Sequence, residues 1–220
     1  MNIAAVTPTR GDRGRLLEQC KLYVGRQSLP FTSHIIVDNP PLDQRKDITK
    51  RFREGITKAF AQGAELVFLI EDDDWYHPDY VRDMVHGWER AGKPKCFGVG
   101  YSYYYHLGTR AWLQMKHPER ASAFSTMVTR DVLSMSWPGD HEPFFDIHLW
   151  KQLQGKTFQP ASPIAVGVKH GIGMSGGIGH RKEWAMYKFK DSDMSWFRSH
   201  TGEDDFLFYK QLSDELINKR

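Results

Sequence analysis

Apolar runs alternate with amphipathic stretches along the first hundred residues of the chain. Short apolar or β-branched runs predict strands over residues 2–7, 34–37, 66–70 and 96–100. Apolar positions at helical spacing predict helices over residues 12–27, from 47 or 49 to about 62, and from 78 to 90. This alternation predicts an α/β fold, with a mostly parallel sheet flanked by helices.

The second half of the chain has a less regular pattern. It predicts strands over residues 124–129 and 164–168, a short helix from 130, and longer helices over Phe145–Leu153 and 203–217. Residues 171–176 spell G-x-G-x-x-G. No amphipathic helix follows them and no βαβ unit surrounds them, so a dinucleotide site is not predicted, and a lid or an ordinary loop both stay open. Neither a repeat nor a linker divides the chain, which predicts a single domain.

Composition narrows the class of protein. Of the 220 residues, 40% are hydrophobic and 26% charged, which excludes a mainly disordered chain. No apolar run approaches the roughly 18 residues of a membrane span, and the first residues lack a secretory pattern. We therefore expect a cytoplasmic protein without membrane association. Cys20 and Cys96 fit no metal-ligand spacing, and we expect both to be buried free thiols.

Four adjacent acids follow the most apolar predicted strand. The net charge is only +3, and Glu71, Asp72, Asp73 and Asp74 concentrate negative charge at one point of an otherwise basic chain. Ligands of open α/β sheets bind at the carboxyl ends of strands, and hard carboxylate oxygens suit Mg²⁺ or Mn²⁺. In an extended segment, either Glu71 with Asp73 or Asp72 with Asp74 could share one ion. A solvated acidic turn that caps the next helix is the simpler alternative.

Five segments in order resemble one enzyme family. They are residues 6–10 (VTPTR), 37–38 (VD), 70–78 (IEDDDWYHP), 145–151 (FDIHLWK) and 168–170 (VKH). Together they resemble the GT-A glycosyltransferases, especially the inverting family 2, in which residues 70–78 would be the DxD segment. Two departures stand out: residues 11–13 (GDR) replace the usual Asn-Arg pair, and Phe145 replaces a Glu before the catalytic aspartate.

The resemblance implies a GT-A-type, Rossmann-like mixed sheet and a nucleotide-sugar donor, with a UDP-sugar favoured and Mn²⁺ or Mg²⁺ as cofactor. It divides the single domain into a donor-binding half, residues 1–100, and an acceptor and catalytic half, residues 101–220. Asp73 is the leading metal ligand, with Asp72 and Asp74 close behind, and His170 is a further ligand or phosphate donor. The predicted nucleotide contacts are Thr7, Thr9, Arg10, Asp38, Asp72 and His170.

An inverting transfer also needs a general base. The resemblance implies Asp146, which stands at a helix start, and His148 is a weaker option. Residues 203–205 (EDD) form a second acidic motif. We interpret them mainly as favourable charge at the start of the last helix, with a role in the site as the alternative.

The acceptor is the least constrained part of the prediction. Aromatic residues over 101–106, with Trp112, can stack on sugars or bases, or pack in the core. The chain also resembles compact bacteriophage glycosyltransferases, which implies a hydroxymethylated pyrimidine in DNA as acceptor and a host cytoplasm as location. A saccharide is the other candidate, and no protein partner is evident. Three other functions stay open: a nucleotidyltransferase, a metal-dependent nuclease and a non-catalytic nucleic-acid-binding protein.

Overall fold

The computed structural model describes residues 1–40, 46–170 and 186–218. The strands are β1 (Ile3–Pro8), β2 (Ser33–Val37), β3 (Leu66–Leu69), β4 (Trp75–Tyr76), β5 (Cys96–Val99), β6 (Tyr101–His106), β7 (Ala111–Lys116), β8 (Thr126–Val128), β9 (Lys156–Phe158), β10 (Ala165–Lys169) and β11 (Phe189–Lys190). The helices are α1 (Gly14–Gly25), α2 (Ile48–Ala61), α3 (Tyr80–Arg90), α4 (Phe145–Leu153), α5 (Ser195–Thr201) and α6 (Glu203–Asn218), with 3₁₀ turns at Ala123–Ser125 and Arg130–Ser134.

The larger sheet has the strand order β2-β1-β3-β8-β5-β9. The β1–β2, β1–β3 and β5–β9 pairs are parallel, and among the strands that the structure describes in this sheet only β8 runs antiparallel to its neighbours. The predicted α/β class with a mixed, mostly parallel sheet is confirmed. The sequence pattern did not predict that β8 lies between β3 and β5, because such a pairing joins segments that are distant in the chain.

Both faces of this sheet are covered, as the alternation of its side chains shows. Ala5 and Phe68 pack into one core with α1 and α3, whereas Val6 and Leu69 pack into a second core with α2 and α4. Successive residues of a strand point to opposite faces, so one apolar strand can supply both cores. All four residues of β3 are buried, as expected for a central strand.

A second sheet, with the order β11-β7-β6-β10-β4, was not predicted as a sheet. Its centre is the antiparallel β6–β7 pair, in which Tyr103 lies opposite Gln114, and β10 pairs in parallel with β6. The aromatic run over 101–106 is therefore mostly a strand. Tyr105 is buried, whereas Tyr104 lies beside the cavity described below.

Other local predictions hold with small changes. Most elements begin and end within about two residues of the predicted bounds, although 124–129 divides into a 3₁₀ turn and β8. Asp47 precedes α2 but makes no capping hydrogen bond with its side chain. Cys20 and Cys96 are free and buried, as predicted. None of the helices over the described residues is long and apolar enough to cross a membrane.

Candidate active site

The acidic segment lies at the carboxyl end of β3, and its three aspartates are buried. Arg13, just before α1, donates from Nη1 to Asp72 Oδ1 at 2.8 Å and to Asp73 Oδ2 at 3.3 Å. His170 Nε2 lies 2.8 Å from the same Asp73 oxygen. The backbone N–H of Val168 donates to Asp74 Oδ1 at 2.7 Å. Each aspartate therefore has one oxygen fixed by a protein group from another element.

The second oxygen of each aspartate has no such partner. Asp72 Oδ2, Asp73 Oδ1 and Asp74 Oδ2 are buried without a hydrogen-bond partner in the described part of the chain. Ligand atoms of Glu71, Asp73 and Asp74 all lie within 4.8 Å of one another. Burying an unsatisfied carboxylate oxygen is costly unless it binds a cation or a proton. The donor set fits a hard divalent ion such as Mg²⁺ or Mn²⁺.

The structure shows which carboxylates lie together, where the sequence left open the pair Glu71 with Asp73 and the pair Asp72 with Asp74. Glu71 and Asp73 come together as one of those pairs predicts, and Asp74 joins them. Asp72 is directed to Arg13 instead. His170 contacts Asp73 rather than forming part of the carboxylate group.

Among the four acids of the segment, Asp73 is the one whose charged form is favoured. Burial acts to raise its pKa, but the nearby Arg13, His170 and Lys169 together hold the pKa below the ordinary value. Lys169 lies at the end of β10. Burial acts to lower its pKa, but the surrounding carboxylates raise it above its ordinary value, so it stays a cation.

The other three acids behave in the opposite way. Burial and repulsion from Asp73 raise the pKa of Asp72, Asp74 and Glu71, the last to about 7. Four carboxylates this close do not all ionise together without a compensating charge. A divalent ion would supply that charge and displace protons as it bound.

Two of these carboxylates, Glu71 and Asp73, line a cavity of about 450 Å³. Thr9 and Arg10 line it from the end of β1, and Glu71 and Asp73 from the end of β3. Tyr104, Leu113 and Lys169 line it from the second sheet, and Phe144, Phe145 and Asp146 from the start of α4. The volume lies within the range of small-molecule sites.

Asp146 faces this cavity from the first turn of α4. Its Oδ2 accepts a hydrogen bond from Arg120 Nη1 at 3.1 Å. Burial raises the pKa of Asp146, while Arg120 and the backbone N–H groups at the start of the helix partly offset that rise. His148, the weaker option, is exposed and does not line the cavity.

The fold places some of the predicted nucleotide contacts in the cavity wall and others outside it. Thr9 and Arg10 line the cavity, but Thr7 does not: its hydroxyl lies 2.9 Å from His34 Nε2 and 3.8 Å from Cys20 Sγ in the interior. Asp38 follows β2 on the exposed surface and is not part of the cavity lining.

Another carboxylate, Asp47, lies in the cavity wall and was not predicted there. It accepts from Arg51 Nε at 2.9 Å, and Arg10 Nη1 lies 3.7 Å from its other oxygen. The buried Arg51 also donates to the carbonyl oxygens of Thr9 and Val37, at 2.7 and 3.1 Å, and so joins the ends of β1 and β2. The i,i+4 spacing of Asp47 and Arg51 on a helix was the available sequence signal.

The second acidic motif, residues 203–205, lies at the start of α6 and not in the cavity wall. Asp205, at the start of α6, is buried, pairs with Arg26 and accepts from Trp75 Nε1 at 2.7 Å. Glu203 pairs with Arg198 at 2.7 Å. Neither acid lines the cavity, so the alternative role of residues 203–205 in the site is not supported. The glycine-rich loop over 171–179 lies outside the described residues.

Comparison with known proteins defines the class of fold. No family model matches the chain, and no curated protein matches it. Among solved structures, S. aureus TarS 1–349 in complex with UDP is 11% identical with a TM-score of 0.53, over 76% of this chain and 60% of that one. A structure of S. aureus TarS is 12% identical with a TM-score of 0.51, over 100% of this chain but 43% of that one.

The third structure is the mannosyltransferase PcManGT from Pyrobaculum calidifontis, in complex with GDP-Man and Mn²⁺. It is 10% identical with a TM-score of 0.52, over 99% of this chain and 74% of that one. The chain has the fold of the GT-A glycosyltransferases, as the sequence segments predicted. It spans less than two thirds of either TarS structure.

Proposed function

We propose that this protein is a metal-dependent glycosyltransferase, which moves a sugar from a nucleotide-sugar donor to an acceptor hydroxyl with inversion. The observation that carries the proposal is the shared cavity. Asp73, which has an unsatisfied buried oxygen, lines one part of it together with Glu71, and Asp146 lines another. The GT-A fold supports the reaction class, and the UDP and GDP-Man complexes of similar structures support a nucleotide-sugar donor.

The donor diphosphate would bind at the acidic segment. Glu71, Asp73 and Asp74 would hold Mn²⁺ or Mg²⁺, which neutralises charge on the leaving diphosphate when it is bound. Lys169 is a cation in the same wall, and it would bind a phosphate oxygen directly. Arg10 lies at the end of β1 and would contact the nucleotide. A UDP-sugar is the first donor to test.

Asp146 would act as general base. It accepts the proton of the acceptor hydroxyl while that oxygen bonds to the anomeric carbon and the bond from that carbon to the diphosphate oxygen breaks. The electron pair of the broken bond leaves with the nucleoside diphosphate. Attack opposite the leaving group inverts the anomeric centre, which requires the base and the diphosphate site on opposite sides of the sugar.

For the acceptor, we propose a hydroxymethylated pyrimidine in DNA. Phe144 is 59% exposed at the cavity, where an aromatic ring can stack on a base. Lys46 also lines the cavity, and its positive charge suits an anionic backbone. The target base would have to leave the helical stack to reach Asp146. A saccharide acceptor is the alternative outcome of the same test.

The decisive experiment measures thermal stability with Mn²⁺ and a panel of nucleotide sugars. At a ligand concentration 100-fold above Kd, we expect the melting temperature to rise by roughly 5–10 °C, because binding adds about 2.7 kcal/mol. Asp73→Asn should abolish the shift, whereas Asp204→Asn, which changes an exposed acid outside the cavity, should retain it. The sugar nucleotide that stabilises the protein is then incubated with DNA oligonucleotides that contain hydroxymethylcytosine or cytosine.

The outcomes separate the functions. Sugar added only to the hydroxymethylated oligonucleotide supports the full proposal, and transfer to a saccharide instead replaces the acceptor alone. No stabilisation by any nucleotide sugar with Mn²⁺ contradicts the donor site. Release of pyrophosphate would indicate a nucleotidyltransferase, and cleavage of the oligonucleotides in Mn²⁺ would indicate a nuclease.

A further inference from the structure

Arg120 connects Asp146 to a second side chain in the cavity wall. Its Nη1 donates to Asp146 Oδ2 at 3.1 Å, and its Nη2 lies 3.1 Å from His117 Nε2. All three residues line the cavity. Because an arginine donates and never accepts, His117 Nε2 is the acceptor of this contact and carries no proton there.

The turn that carries Arg120 is tied to the rest of the fold. The N–H of His117 donates to the carbonyl oxygen of Gly100 at 2.9 Å. The hydroxyl of Thr157 donates to the carbonyl oxygen of Pro118 at 2.6 Å. Arg120 therefore reaches Asp146 from a fixed position, and the pair is partly buried, with side-chain exposures of 28% and 12%.

We propose that Arg120 is a positioning residue for the general base, because it orients the Asp146 carboxylate and keeps it ionised. His117 in turn orients Arg120. The inference rests on the proposed role of Asp146. Arg120 Nη1 contacts Oδ2 of the carboxylate, and backbone N–H groups at the start of α4 act on the same carboxylate. An arginine that fixes one carboxylate oxygen also fixes the plane of the group.

The charges around Asp146 determine the direction of the expected pH effect. Burial raises the pKa of Asp146, Arg120 lowers it, and Glu142 before α4 raises it. Glu71, at the end of β3, also interacts electrostatically with Asp146. Since a general base works only when it is deprotonated, activity rises with pH through this pKa. Loss of the Arg120 charge raises the pKa and moves that rise to higher pH.

The test uses Arg120→Gln, Arg120→Lys and His117→Gln, with Arg198→Gln as the matched control. Arg198 pairs with Glu203 on the surface, outside the cavity. Two readouts are needed. One is the titration of the Asp146 side-chain carboxyl by ¹³C NMR, assigned with Asp146→Asn. The other is the pH profile of nucleoside diphosphate release from UDP-glucose and other sugar nucleotides with Mn²⁺, in the presence of the hydroxymethylcytosine oligonucleotide or a saccharide acceptor.

In Arg120→Gln, we expect the titration midpoint of Asp146 and the acid limb of the kcat–pH profile to move to higher pH by about one unit or more. The kcat should fall at least about 10-fold while the KM for donor changes little, because Arg120 acts on the base and not on the diphosphate site. Arg120→Lys should restore the acid limb but only part of kcat. His117→Gln should lower kcat without moving the limb as far, and Arg198→Gln should behave as wild type.

The two readouts distinguish two kinds of failure. If wild type releases nucleoside diphosphate but Arg120→Gln leaves both the titration and the acid limb unchanged, the positioning role is wrong and the proposed function stands. If wild type releases none from any sugar nucleotide with either acceptor, the proposed function fails, and the positioning role of Arg120 fails with it. Should Arg120→Gln not fold, the kcat of Arg120→Lys and of His117→Gln decides the question, because a wild-type kcat in both would contradict the positioning role.

Discussion

His34 on β2 makes the stability of the protein depend on pH. Its Nε2 lies 2.9 Å from the Thr7 hydroxyl, and burial, with a smaller effect of Lys21, lowers its pKa to about 4. The unfolded chain binds a proton at the ordinary pKa of about 6.5. We therefore expect stability to fall between about pH 6.5 and 4, and the contribution of His34 to level off below that. The full effect has an upper limit of roughly 3 kcal/mol.

Urea unfolding between pH 4.5 and 7.5 measures this dependence. Other groups titrate in the same range, so the informative quantity is the difference between wild type and His34→Gln. The variant should lose less stability as the pH falls, because it removes a group that resists protonation in the folded state. His86→Gln is the matched control, since His86 is exposed. Equal pH dependence in wild type and His34→Gln would contradict the assignment.

A residue of the site could be predicted from the sequence when its signal lay in the residues next to it in the chain. The acidic segment was evident because four carboxylates follow a fully apolar strand. The partner of Asp72, Arg13, lies 59 residues away, and only the fold brings the two together. Asp38 was selected from a motif, but the chain places it on the exposed surface after β2. Asp47, which no motif singled out, lines the cavity near the ends of β1 and β2.

Among the elements, α2 depends on a glycine for its close approach to β1. A Cβ at Gly55 would clash with the side chain of Val6 and lie 3.0 Å from Val37 Cγ2. Both neighbours are stiff, β-branched residues in packed strands, so neither can move aside easily. We expect Gly55→Ala to destabilise the protein by about 1–3 kcal/mol, although alanine favours helices.

Denaturant unfolding of Gly55→Ala and Gly25→Ala tests this packing. Gly25 ends α1, and a Cβ there would meet nothing within 4 Å, so that control should be neutral or slightly stabilising. A neutral Gly55→Ala would show that α2 can move away from β1 without loss.

Elements with a clear period of hydrophobic residues were predicted well, whereas most strands of two or three residues were not. The buried strands and amphipathic helices of the first half carry their own signal in the spacing of apolar residues. By contrast, β4 and β11 have two residues each and β9 has three, too few to show a period. The second sheet was missed because β6 mixes buried and half-buried aromatic residues without strict alternation.

The two halves of the chain are interleaved in the whole molecule. Strands β8 and β9 come after residue 100, yet they complete the larger sheet, where β8 separates β3 from β5. The cavity is shared in the same way: Glu71 and Asp73 come from the first half, Asp146 and Lys169 from the second. The division at residue 100 is thus a proposal about roles, and it does not describe two separately packed bodies.

This interleaving predicts that the chain unfolds in one cooperative step. If β8 is removed, β3 and β5 both lose a ladder partner, so neither half has a complete sheet without the other. Urea unfolding followed by far-ultraviolet circular dichroism and by tryptophan fluorescence should give coincident transitions. The seven tryptophans are divided between the two halves of the sequence, and two of them, Trp75 and Trp150, lie in different cores. Separate midpoints for the two probes would show that one half stays folded after the other has opened.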